Sequence, residues 1–227
     1  MSGFEVRNIA GSVTVNSDYK SPLLTNYIAS PPFDTTGDWD ANIPDMGRLK
    51  DLAYLKDSIL YNGGAYNRNY HKPGQIMWVR LNVGGWGLPG CDYYIPGSVN
   101  IAFTRMDATV ESGYLDVFNS SGQLIWSAKS AATVPRIIGF ITVPPNFDLL
   151  NNTLTVSVPG RPFFPTDMFP GLLSLDGEGV GGRASLALKQ NVDSISLRYD
   201  IYNNPPYTEN PLYYRGFKIP YAIFPTL

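Results

Sequence analysis

Few residues in this chain could do bond-making chemistry. There is one histidine, His71, and one cysteine, Cys91, among 227 residues. One of each cannot build a Cys/His zinc site. A Ser-His-Asp triad would have to use His71, and no serine lies in a strand-turn-helix nucleophile signature. Cys91 follows Pro89-Gly90 and could act as a nucleophile only with His71 as its base; a small packed thiol is the simpler reading. Asp176 and Glu178 flank a glycine-rich run, Gly177 to Gly182, that could hold a cation with backbone carbonyls. The run lacks the Lys-Ser/Thr ending of a phosphate loop. Asp107, Glu111 and Asp116 are the acids to consider as a sugar-cleaving pair. Alternating strand positions account for them equally well. The sequence therefore predicts no catalytic residues, no metal and no cofactor.

The second class of candidate is aromatic. The stretch Tyr61 to Tyr70 (YNGGAYNRNY) mixes Tyr, Asn and Gly, as adaptable binding surfaces do. Rigid rings give contact area at low entropic cost, and the amides give hydrogen bonds. Trp86, Tyr93 and Tyr94 continue the style. Tyr61, Tyr66, Tyr70, Trp86, Tyr93 and Tyr94 are the expected surface for a partner chain or a sugar face. The alternative is that these rings pack the loops down.

The elements that must position such loops are strands. Charged residues make up 16% of the chain, below the usual quarter, while Gly and Pro number 22 and 19. With 15 Tyr and 11 Phe, this is the composition of short strands, tight turns and shaped loops. The pattern predicts strands at Gln75 to Val83, Ser98 to Arg105, Gly113 to Asn119, Gln123 to Ser127, Arg136 to Val143, Asn152 to Val158, Arg183 to Lys189, Asp193 to Tyr202 and Tyr213 to Ile223. Leucines and other apolar residues spaced at three or four over Asp45 to Tyr61 predict the one short helix. The expected fold is all-β: an antiparallel sandwich or barrel-like arrangement with long loops. Two modules, 1–97 and 98–227, are one division of the chain, and a single domain is the other.

Net charge is −2, and no Lys/Arg run supplies the phosphate-neutralising contacts of nucleic-acid binding. No apolar run approaches the roughly 20 residues of a membrane-spanning helix. The start of the chain lacks a secretory signal pattern, which fits synthesis in a cytoplasm.

One hairpin pattern occurs twice. Phe4 and Val6 alternate with Glu5 and Arg7, the turn Asn8-Ile9-Ala10-Gly11 follows, and Val13 and Val15 continue the alternation. Glu5, Val6, Asn8, Gly11, Val13 and Val15 correspond at one offset to Asp116, Val117, Asn119, Gly122, Leu124 and Trp126. Asn-x-x-Gly turns recur for local reasons, so convergence and duplication both account for the match. Strict alternation in the second copy puts Phe118 and Ile125 on one face and Leu115, Val117, Leu124 and Trp126 on the other. A hairpin apolar on both faces is expected to be covered on both.

These two segments, GFEVRNIAGSVTVNSDYK and GYLDVFNSSGQLIWSAKS, resemble the hairpin that opens many small tail-associated proteins of long-tailed bacteriophages and prophages. The likeness covers about 35 of the 227 residues and is carried by turn and core positions. It implies a virion component of the tail tip or tail fibre region, made in the host cytoplasm. Such a protein would have no enzymatic activity and would assemble with other tail proteins as an oligomer. A receptor- or carbohydrate-binding module at the host surface is the alternative, and a polysaccharide-degrading enzyme the second.

Overall fold

The computed structural model describes residues 5–7, 13–16, 20–29, 33–34, 64–66, 73–91, 93–94, 97–175, 181–202 and 211–227. The fold is all-β and sandwich-like, built from antiparallel pairs. A four-stranded sheet runs in the order β14 (Phe164–Pro165), β6 (Gln75–Leu81), β9 (Val99–Arg105), β3 (Leu23–Ala29). The larger sheet runs β13 (Leu154–Ser157), β17 (Ser194–Tyr202), β16 (Gly181–Gln190), β7 (Trp86–Leu88), β8 (Tyr93–Tyr94), β5 (Gly64–Tyr66), β4 (Phe33–Asp34), with β15 (Gly171–Leu175) also paired to β16. Three two-stranded ribbons complete it: β1 (Glu5–Arg7) with β2 (Val13–Asn16), β10 (Asp116–Phe118) with β11 (Leu124–Ser127), and β12 (Arg136–Val143) with β18 (Phe217–Ile223).

The core follows from alternation. Met77, Val79 and Leu81 of β6 share one face, and Val99, Ile101 and Phe103 of β9 lie beside them. Leu186 and Leu188 of β16 join the same cluster, as do Ile195, Leu197 and Tyr199 of β17 and Ile141, Val143, Ile219 and Tyr221 of the β12–β18 ribbon. Every second residue of a strand faces one way, so period-2 apolar runs from several strands close one interior. Trp78 and Ala102 face the other side of the four-stranded sheet, where Phe163, Ala222 and Phe224 cover them. Trp78 Nε1 donates to Thr104 Oγ1 at 2.9 Å, which satisfies a buried indole. Strands from either side of residue 97 thus share both large sheets and one apolar cluster.

One expected strand is shortened. The sequence reading extends a strand from Tyr213, but Pro211–Arg215 forms a helical turn, α1, and β18 starts at Phe217. Proline suits the first helical position and glycine the residue past the end. Gly216 has φ +64° and its N–H donates to Leu212 O at 2.9 Å, closing the turn. A Cβ there would lie 2.5 Å from Val143 O, so glycine is also required by space. The helix expected over Asp45 to Tyr61 lies outside the described residues, as do His71, Asp176 and Glu178.

Candidate interaction surface

The two copies of the repeated hairpin pair their strands in the same register. In the first, Glu5 pairs Asn16, Val6 pairs Val15 and Arg7 pairs Val13. In the second, Asp116 pairs Ser127, Val117 pairs Trp126 and Phe118 pairs Leu124. The bulge falls at the same step in each, so Thr14 and Ile125 are the extra residues. The second turn shows why. Asn119 Oδ1 accepts from the N–H groups of Ser121 (3.1 Å) and Gln123 (2.9 Å), and Gly122, at φ +77°, donates to Asn119 O at 3.0 Å. An asparagine that fixes its own turn and a glycine in the left-handed region set both loop length and register. The loop of the first copy lies outside the described residues.

The bulge corrects one expectation. Ile125 is buried with Val117, while Phe118 is 52% exposed. Strict alternation would put Ile125 with Phe118, but an extra residue breaks the alternation. The hairpin is therefore covered on one side only, with Tyr114, Leu115 and Phe118 exposed.

The aromatic surface expected from sequence divides. Trp86 is 8% exposed and Tyr94 is fully buried. They line the interior and present no surface. The reason is topological: β7 lies between β16 and β8, with Gly87 paired to both Leu188 and Tyr94. Lys189 Nζ lies 5.0 Å from the centroid of the Trp86 ring. Tyr66 and Tyr93 are placed by backbone alone, Tyr66 opposite Phe33 and Tyr93 opposite Ala65 and Leu88. Tyr61 and Tyr70 lie outside the described residues. Cys91 closes the 3-10 turn Pro89–Cys91.

The candidate acids are occupied with structural work. Arg105 donates from Nε and one terminal nitrogen to the two oxygens of Asp107, both at 2.6 Å, and this hydrogen-bonded pairing holds the Asp107 carboxyl below its usual range. The Lys129 ammonium, hydrogen-bonded to Glu111, does the same for that carboxyl. Asp116 accepts from Ser112 Oγ and, at 2.9 Å, from Gly113 N–H, bracing the entry to β10. A general acid of sugar cleavage needs the opposite shift, upward. Among the described residues, no three His, Cys, Asp or Glu side chains gather where they could hold a metal.

What the structure does expose is the outer face of the β12–β18 ribbon. Ile137, Ile138 and Phe140 of β12 are exposed, Phe140 to 56%, and Ile223 of β18 is exposed on the face it shares with Ile219 and Tyr221. Register puts Phe140 opposite Pro220 and Thr142 opposite Lys218, while Ile141 and Ile219 face the core. A bulge at Ile138 separates the two ends of the ribbon. Gly139 makes room for its cross-strand partner: a Cβ there would lie 2.2 Å from the Tyr221 hydroxyl. Among the described residues β12 pairs only with β18, so its second edge has no strand against it. The sequence placed a strand here with the observed bounds. It gave no signal of the exposure, because the run RIIGFITV reads as core.

Over residues 1–226 the chain matches the family described as Domain of unknown function (DUF8377). The chain belongs to that family. No curated protein and no solved structure matches it. For a DUF8377 protein, chemistry must be read from the site itself.

Proposed function

We propose that this DUF8377 protein is a structural component that acts by protein–protein assembly and that the β12–β18 ribbon is its assembly face. The observation that carries this is the run of exposed apolar residues Ile137, Ile138 and Phe140 along β12, whose second edge has no strand against it among the described residues. An open, apolar edge strand is a template for pairing with another chain, and proteins that stay single blunt such edges with charges or cover them. Between Ile137 and Val143 this strand carries no charge. The exposed side of the β10–β11 hairpin offers a second apolar area of the same kind.

The setting we propose is the tail of a bacteriophage virion, at the tip or fibre region, with other tail proteins as partners. Its support is the repeated hairpin, whose two copies agree in register and in bulge. Immunolabelling of particles released from an induced host tests the setting. Label confined to one end of the tail is expected; particles that never carry label would overturn it.

A further inference from the structure

We propose that the occupant of the β12 edge is a second copy of this chain, paired antiparallel to the first across a two-fold axis between Ile138 and Gly139. Such a pairing rests on the assembly-face reading above and names the partner of that face. The bulge is what makes the edge fit itself. Ile137 pairs with Ala222 and Phe140 with Pro220, and these partners stand two residues apart on β18. Residues two apart on a strand share a face. Ile137 and Phe140 therefore lie on one face of the ribbon, although three positions separate them in sequence. Both are exposed, Ile137 to 47%. In a strand without the bulge they would point to opposite sides.

With the axis between Ile138 and Gly139, Ile137 of each copy falls opposite Phe140 of the other. Opposed residues of antiparallel strands carry their side chains on the same face and in contact. Two isoleucines and two phenylalanines then close into one apolar cluster. Both strands have the same number of residues between the two pairs, so the bulge shifts no register. A two-fold axis requires one patch to fit itself, residue i meeting j and j meeting i, and this spacing does so. Charge selects the direction. Arg136 is the only charged residue of the strand. The antiparallel arrangement sets it opposite Ile141 of the other copy. The two arginines then stand five residues apart, about 17 Å along the ribbon at roughly 3.4 Å per residue. That exceeds the screening length of about 8 Å in physiological salt, whereas an in-register parallel pairing would put the arginines side by side. Pro135, which has no N–H to give, falls opposite Thr142 and ends the ladder.

The test uses the full chain with Phe140 replaced by p-benzoylphenylalanine, whose ring cross-links under ultraviolet light to what it touches. Irradiation of the purified protein should yield a species of twice the mass. Peptide mapping should find position 140 of one copy joined to residues 136–138 of the other. In the unmodified chain, Phe140→Lys should weaken self-association at least about tenfold, because it sets an ammonium against Ile137 of the second copy. Dimers cross-linked elsewhere, for example to the exposed Phe118, or dimers seen by sedimentation that give no cross-link, would overturn the two-fold pairing and leave the assembly-face reading standing. A chain that stays monomeric at every concentration and forms no cross-linked dimer would remove both.

Discussion

Strands β9 and β12 look alike on paper and live differently in the fold. Both are uncharged apolar runs with an arginine at one end: VNIAFTR and RIIGFITV. β9 has β6 on one side and β3 on the other, and from Ile101 to Thr104 both its faces are buried. Among the described residues β12 has one neighbour; it buries only Ile141 and Val143 among its side chains and leaves Phe140 exposed. The apolar effect that drives a strand inward scales with area removed from water. It works the same way whether the covering surface comes from the same chain or from another. A strand with an interior composition and an exterior position is therefore where a second chain is expected.

The contrast makes graded predictions. The largest effect belongs to Phe103 of β9, which is fully buried. Phe103→Ala should cost about 3–5 kcal/mol in denaturant unfolding, through lost burial and the cavity left behind. A loss below about 1 kcal/mol would mean that β9 is not the interior strand described. Next comes the covered face of β12. Gly139→Ala must displace the Tyr221 ring and should cost about 1–3 kcal/mol, as overpacking does; an unchanged midpoint would show that the ring does not rest on Gly139. Phe140→Thr, on the outer face of the same strand, should change stability by less than about 0.5 kcal/mol, the range of ordinary surface substitutions. A cost like that of Phe103→Ala would erase the distinction between the strands.

The smallest effect is a pH response confined to the end of β9. Asp107 is held below its usual range by Arg105, so its contribution is present above the ordinary carboxylate pKa and is lost as pH falls through the lowered one. The pair is exposed and its share small. Relative to the intrinsic exchange rate at each pH, amide protection at the end of β9 should fall in acid, while that of β12, which has no carboxylate, should stay the same. An equal loss of protection in both strands would assign the acid response elsewhere.

Much of this fold was legible beforehand, and the reasons are local. β12 was placed with its observed bounds because Arg136 and the Pro144-Pro145 pair punctuate it. The two hairpins were found because Asn and Gly carry their own turn geometry. The short strands β7 and β8 were not foreseen: two or three residues give no periodicity, and the pairing of β7 with β16 spans about a hundred residues of sequence. For the same reason Trp86 and Tyr94 read as a surface when they belong to the interior. The face of β12 was hidden for a different reason. Composition reports that a residue prefers to be covered, and only three-dimensional structure reports what covers it.

The most direct test of the assembly face is sedimentation of the parent chain against Phe140→Lys over a wide concentration range. A lysine on an open edge is what proteins use to prevent pairing. The account predicts that the parent's mass rises with concentration, while Phe140→Lys stays monomeric and melts close to the parent. A parent that remains monomeric throughout, or a lysine variant that associates equally well, would contradict it.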